Sequence, residues 1–459
     1  MKKIKYIIAF ISILAIAPAA KAQSGVSSYF LDGAYHNYKL NPAMKAERGM
    51  FSLLLGNFSL RTNGNVGISD FLYPYGDDKL TTFMSGTVDQ DDFLGRLPDY
   101  ARIGMNLDES IMEVGFRMLG GYTTLGLSMH SSLSMALPKG FFEFAKKGMQ
   151  ESAYDFSNLN LNTMNYAAIT LGYSHEIFKG FRIGANLKYL MGLAYADITV
   201  DKLNVELSDK RWMVSSHAQA QVALFCESQA DLDGEGVVQG IEMGAMSPSA
   251  MGFAVDLGAV YDMNHIVPGL TLSASFVDLG YINWKYMLQG QSADAKVEFD
   301  GFDEIDPNDM ETSINNELER LGDDASKLVD FTYDGTSAMK TMLASTMYLG
   351  AEYNMPFYKP LSVGLLYGQR FSPLDFNKWF DVRGFLNISP CSWFEATVNY
   401  GYSTYGASLG WMLNFHPVGV NLFVGSDFMI TKVTPQYIPV DDLNAHVTIG
   451  LSLALGKRK

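Results

Sequence analysis

Among 459 residues the chain has only two cysteines, Cys226 and Cys391. Two are too few for a disulfide framework, so both are expected as free thiols. Beyond the N-terminal segment no apolar run reaches the roughly 18 residues that a membrane-crossing helix needs. Positive charge is also scarce: 34 Lys and Arg face 49 Asp and Glu, a formal net charge of −15. Phosphate backbones are gripped by clustered basic side chains, which argues against a nucleic-acid partner. No phosphate-binding glycine loop, zinc spacing or haem motif is present, so no cofactor is expected.

The N-terminus reads as a secretory signal over residues 1–22. Lys2, Lys3 and Lys5 precede the apolar run Ile7–Ala20, and Ala20-Lys21-Ala22 supplies small residues for cleavage. Without the four lysines of that segment, 30 basic residues stand against 49 acidic ones, a net of −19. Gln23 would be the first mature residue. The absence of cysteine there gives no indication of a lipid anchor.

What is abundant is strict two-residue alternation. In Ala445–Gly456, Val447, Ile449, Leu451, Leu453 and Leu455 alternate with Thr448, Gly450, Ser452, Ala454 and Gly456. Phe394, Ala396, Val398, Tyr400 and Tyr402 alternate in the same way with Glu395, Thr397, Asn399, Gly401 and Ser403. A period of two is that of a strand, whose successive side chains point to opposite faces. The outer face of a soluble sandwich would carry many Lys and Glu. Here the polar face is Gly, Ser, Thr and Asn. An apolar face opposite a small polar one suits a closed barrel with lipid outside and a wet or packed lumen.

Such runs recur along the chain and predict an all-β, membrane-spanning antiparallel barrel of 14–16 strands. Sixteen runs are counted if 196–207 is a separate strand, and fourteen if it belongs to one long hairpin arm or if the first run packs inside the lumen. Residues 23–48 are read as an irregular N-terminal segment and 49–459 as the barrel, interrupted by a long acidic loop at 285–340. The turns at 120–121, 178–180, 264–268, 355–359, 389–392 and 416–417 are assigned to the periplasmic side. Outside partners are then outer-membrane lipid and lipopolysaccharide, in a Gram-negative cell.

Several motifs bear on chemistry. Residues 231–242 place acids at the first, third, fifth and twelfth positions of an EF-hand loop and Gly236 at the sixth. Position five is Glu and no helix flanks the stretch, so an acidic connection is the preferred reading and no metal is assigned. Inward faces carry Glu113, Arg117, Lys188, Asp256, Arg370, Asp381, Arg383 and Glu395, which either line a solute path or pair among themselves. Residues 138–150 predict an amphipathic helix presenting Phe141, Phe142 and Phe144, either as an outer capture surface or as an interfacial anchor. His130 lies between Ser128 and Ser132, but no acid partner is readable, so no enzymatic activity is expected.

The segments Ser27-Ser28-Tyr29-Phe30-Leu31, Leu40-Asn41-Pro42-Ala43 and Gly67-Ile68-Ser69-Asp70-Phe71-Leu72-Tyr73-Pro74 resemble a Bacteroidota family of outer-membrane barrels of unknown function. Leu137-Pro138-Lys139 and Asp278-Leu279-Gly280-Tyr281-Ile282-Asn283-Trp284 extend the resemblance over the mature chain. More distantly the chain is similar to FadL-type transporters and PorV-type barrels. The FadL resemblance implies that residues 23–48, with Asn41, Pro42 and Ala43, form an N-terminal hatch blocking the lumen. The first functional reading is then a plugged barrel that passes or binds a small hydrophobic ligand, with Arg117 and Arg383 as candidates to meet a ligand carboxylate and Lys188, Arg370 and Glu395 along the path. The alternative is a non-transporting assembly or display barrel whose loops bind a protein partner that the sequence does not name.

Overall fold

The computed structural model describes residues 25–456, apart from 45, 47, 55, 76–78, 149–152, 209–210, 247–248, 293–294, 300–329, 375–376 and 429–443. The expected signal at 1–22 lies outside the described residues. Among those described, no helix is long and apolar enough to cross a membrane. The chain crosses with strands.

The alternation dictates which way each strand faces. In Ala445–Leu455, Leu451 is 43% exposed while its neighbour Ser452 is 2% exposed. In Phe394–Ser403, Tyr400 is 63% exposed while Asn399 is 2%. Leucine, valine and tyrosine thus lie outside, and Asn, Ser and Thr inside. In water this would be inverted, and it is stable only where the outer face meets hydrocarbon.

The sheet is antiparallel and closed. The first wall is broken into Gly49–Leu53 and Phe58–Gly64, and both pieces pair with the last strand, Ala445–Leu455, and with the second, Tyr100–Met118. Fourteen walls result. Phe181–Leu207 is a single continuous arm of 27 residues, so the separate strand at 196–207 does not exist. Trp212–Leu224 and Ala250–Asp262 are the upper and lower parts of another single wall. Between them the chain leaves the barrel as a hairpin, Cys226–Leu232 against Val238–Met246.

The sequence-based expectation also made the acidic loop too long. Leu270–Ser292 runs on as strand, and Phe331–Met342 pairs back along it. A strand rises about 3.3 Å per residue, so the 27-residue arm extends roughly 90 Å against an apolar band of roughly 25 Å. Beyond the apolar band the outer face no longer meets hydrocarbon, and the apolar alternation that marks a strand in sequence fades. The remainder of that loop, 300–329, lies outside the described residues.

The lumen is filled by the N-terminal segment. Residues 25–44 form two short 3-10 turns, Val26–Ser28 and Tyr35–Lys39, and nearly all of their side chains are buried. The barrel wall makes room for them. A Cβ on Gly184 would sit 2.2 Å from the Pro42 carbonyl oxygen, and one on Gly258 would sit 2.1 Å from Asn41 Oδ1. These two glycines are cross-strand partners, so the wall has a paired notch where Asn41-Pro42 rests.

Candidate functional site

Polar side chains on the wall hold the N-terminal segment at three places, and its own Asn41 bonds to the wall backbone at a fourth. Near its start Asp427 accepts hydrogen bonds from the backbone N–H of Val26 at 3.1 Å and of Ser27 at 2.9 Å. The Gly33 N–H donates to Glu395 at 2.9 Å, and Asn421 donates to the Gly33 carbonyl at 2.8 Å. Glu113 gathers His36 at 2.7 Å, Lys39 at 2.6 Å and the Tyr38 hydroxyl at 2.7 Å. Asn41 donates to the carbonyls of Ala259 and Ala274, at 3.2 and 3.3 Å, and its Oδ1 accepts the Ala43 N–H. A buried polar group left unpaired costs about 1–3 kcal/mol, so each wall residue favours the seated segment.

Two cavities lie on opposite sides of this segment. The outer one holds about 330 Å³ and extends to Pro373, Leu374 and Asn377 in an outer loop. The inner one holds about 280 Å³ and reaches Asp262, Asn264 and Asn354 at the short turns of the opposite end. Tyr38 lines both. The outer lining mixes apolar and aromatic surface (Met164, Tyr166, Tyr195, Met339) with charged groups.

Those charges are unevenly paired. Lys188 bridges Asp256 at 2.8 Å and Asp278 at 2.7 Å. Asp278 is placed by a register shift between Val255 and Leu257, and it takes a left-handed backbone (φ 61°). Asp and Asn tolerate that region better than most residues, and a bulge re-aims a side chain there. Asp108 is engaged by His130. Arg370 also lines the cavity, and among the described residues its guanidinium makes no hydrogen bond.

The residues expected to line a path separate into three groups. Lys188 and Arg370 do face the outer cavity. Arg383 and Glu395 point inward but are locked. Arg383 is 1% exposed and donates to Asp381, Asn399, Ser408 and the Asp427 carbonyl, which leaves no face for a ligand carboxylate. Glu395 is spent on Gly33 and Asn414. Arg117 is exposed near the Leu119-Gly120 turn and lines neither cavity. Asn41, Pro42 and Ala43 lie in the lumen against the Gly184–Gly258 notch.

The expected helix spans Lys139–Lys147. Phe142 is buried among Phe71, Phe83 and Phe141, and Phe144 packs on Tyr154 and Phe156. Only Phe141 of the three is exposed, so the three do not form a common capture face. The EF-hand-like stretch is part of the excursion hairpin. Asp233 accepts the N–H groups of Glu235 and Val237, both at 2.9 Å, which closes a tight turn. Sequence reasoning did not identify Asp108, Tyr38 or Asp427 as site residues. Their roles depend on partners between 22 and 401 positions away.

Residues 42–427 match a family of unknown function (DUF5723), and the chain belongs to that family. No curated protein matches it. Among solved structures it is similar to the Pseudomonas putida toluene transporter TodX, at 8% identity over 96% of each chain and a TM-score of 0.39. It is also similar to a Pseudomonas aeruginosa FadL homologue, at 11% identity over 95% of this chain and 98% of that one, with a TM-score of 0.42. The translocator domain of the autotransporter NalP from Neisseria meningitidis gives 7% identity, coverage of 89% and 88%, and a TM-score of 0.31. At such scores these likenesses carry no functional argument. The barrel rests on its own strand pairing.

Proposed function

We propose that this barrel, a member of a family without a known role, takes a small solute from outside a Gram-negative cell into the outer cavity. From there the solute passes the N-terminal segment, acting as a hatch, into the inner cavity. The observation that carries the reading is the pair of cavities with a single short segment between them and Tyr38 common to both linings. The volumes suit a small molecule, near the lower end of ordinary ligand pockets at roughly 300 Å³.

The lining favours an amphipathic solute over a purely hydrophobic one. Methionine and tyrosine offer an apolar wall, and Arg370 offers a fork of donors matched to a carboxylate. Lys188 is less available, because two carboxylates already share it.

The test is liposome swelling with L-arabinose and with phenylpropionate. Replacing the notch glycines, Gly184→Val and Gly258→Leu, should push Asn41-Pro42 from its seat and speed both solutes. Arg370→Gln should slow phenylpropionate and leave L-arabinose unchanged. A lumen that conducts neither solute before or after the notch is filled would end the transport reading.

A further inference from the structure

We infer that the outer cavity holds a hydrolytic site, with Ser128 as nucleophile, His130 as its base and Asp108 as the residue that positions the base. Ser128 and His130 are two apart on the strand Gly121–Pro138, so both face the lumen. Asp108 is the cross-strand partner of His130 on Tyr100–Met118. Asp108 Oδ1 lies 2.6 Å from His130 Nδ1, and His130 Nε2 lies 2.8 Å from Ser128 Oγ.

The carboxylate determines the tautomer. Having no proton of its own, it requires Nδ1–H as the donor. Nε2 is then bare and accepts the Ser128 hydroxyl, which is the arrangement a general base needs. The imidazole stacks on Tyr166 with ring centroids 4.8 Å apart, so its plane is held. His130 and Asp108 are about one-fifth exposed, at 22% and 21% of their side chains. All three residues line the outer cavity, so a substrate there can reach them.

A second Ser–His–Asp set in the same protein shows what a purely structural version looks like. Ser59, His446 and Asp427 are fully buried and line no cavity together. There the Asp427 backbone N–H donates to His446 Nδ1 at 2.9 Å, so the proton sits on Nε2 and points at Ser59. That histidine cannot take a proton from its serine. The set at Ser128 has the opposite tautomer and an open approach.

The substrate class is a small carboxylic ester. Ser128 Oγ bonds to the carbonyl carbon while its proton passes to His130 Nε2. The ester C–O bond then breaks, and the same proton goes to the departing alcohol oxygen. Water attacks the acyl-serine through the same base, releasing the carboxylic acid and restoring Ser128. Lys39 is bonded to Ser110, the cross-strand partner of Ser128. Its ammonium also lines the cavity, but it is paired with Glu113 at 2.6 Å, so its charge is not free for an oxyanion.

The test uses the full-length protein in detergent. A fluorophosphonate probe should attach covalently, and peptide mass spectrometry should place it on Ser128 and not on Ser59. p-Nitrophenyl butyrate hydrolysis should fall to the uncatalysed rate in Ser128→Ala. In Asp108→Asn, kcat should fall by about 10²–10⁴ with KM little changed, the range expected when a base is lost or misaligned. Asp108→Glu should recover part of it. Heat-modifiable gel mobility verifies that each variant is a folded barrel, and labelling of the wild type needs no variant. A folded wild type left unlabelled at Ser128, or hydrolysis persisting in Ser128→Ala, would overturn the inference. Neither outcome depends on whether the lumen conducts.

Discussion

Ser27 and Asp427 are 400 positions apart, yet Ser27 Oγ donates to Asp427 Oδ1 at 2.6 Å. The same carboxylate takes the backbone N–H groups of Val26 and Ser27 and is paired with Arg61. One buried side chain at the end of Val420–Ser426 therefore binds the start of the lumenal segment to the far end of the chain.

Removing that carboxylate should both destabilise and unseat. Asp427→Ala leaves the Arg61 charge without its partner, a loss of about 3–5 kcal/mol for a broken buried pair. The temperature at which the barrel loses its heat-modifiable gel mobility should drop. Residues 25–44 should also become cleavable by added protease. An unchanged melting temperature with a protected segment would show that other contacts suffice.

Glu113 allows a finer test because three plug side chains meet on it. Glu113→Gln keeps the shape but removes the charge facing Lys39 and His36. Liposome swelling should rise less than with the notch glycines filled, because Glu113→Gln loosens the segment without adding atoms that push it from its seat. A larger rise than theirs would make this the principal latch.

The outward face should tolerate no charge. Leu451→Arg places a guanidinium on the lipid side of Ala445–Leu455 and should cost about 2–4 kcal/mol in urea unfolding from lipid bilayers. If Leu451→Arg were neutral, the outer face would not lie in hydrocarbon.

Sidedness can be read by thiol labelling. Cys226 opens the outer excursion hairpin, and Cys391 lies at a turn of the opposite end. A cysteine at the hairpin tip, Gly234→Cys, has open space around it and should react with an impermeant maleimide on whole cells. Cys391 should react only after the cells are opened. The reverse order would invert the barrel.

The barrel was legible because lipid imposes a simple rule on every crossing: apolar out, small or polar in. Val447, Ile449 and Leu451 follow that rule within three alternate positions, and no distant contact is needed to see it. The extensions of the walls beyond the apolar band were less legible: at 285–292 the consecutive Met287 and Leu288 are both buried, and 331–340 holds no buried residue, so neither stretch carries the alternation. The same limit applied to the lumen. Arg383 and Arg370 have the same side chain on the same kind of inward face, yet four bonds lock the Arg383 guanidinium while that of Arg370 makes none among the described residues.

The sequence by itself determined that this chain crosses a membrane as strands, where its turns lie, and that Asn41-Pro42 breaks any strand near the start. Tertiary structure alone decided that residues 25–44 fill the lumen and that Gly184 and Gly258 face each other to seat them. It alone set Asp108 behind His130. The reason is that alternation is written into consecutive side chains, whereas a contact across the lumen depends on strand register and wall count. Both of those are properties of the closed cylinder.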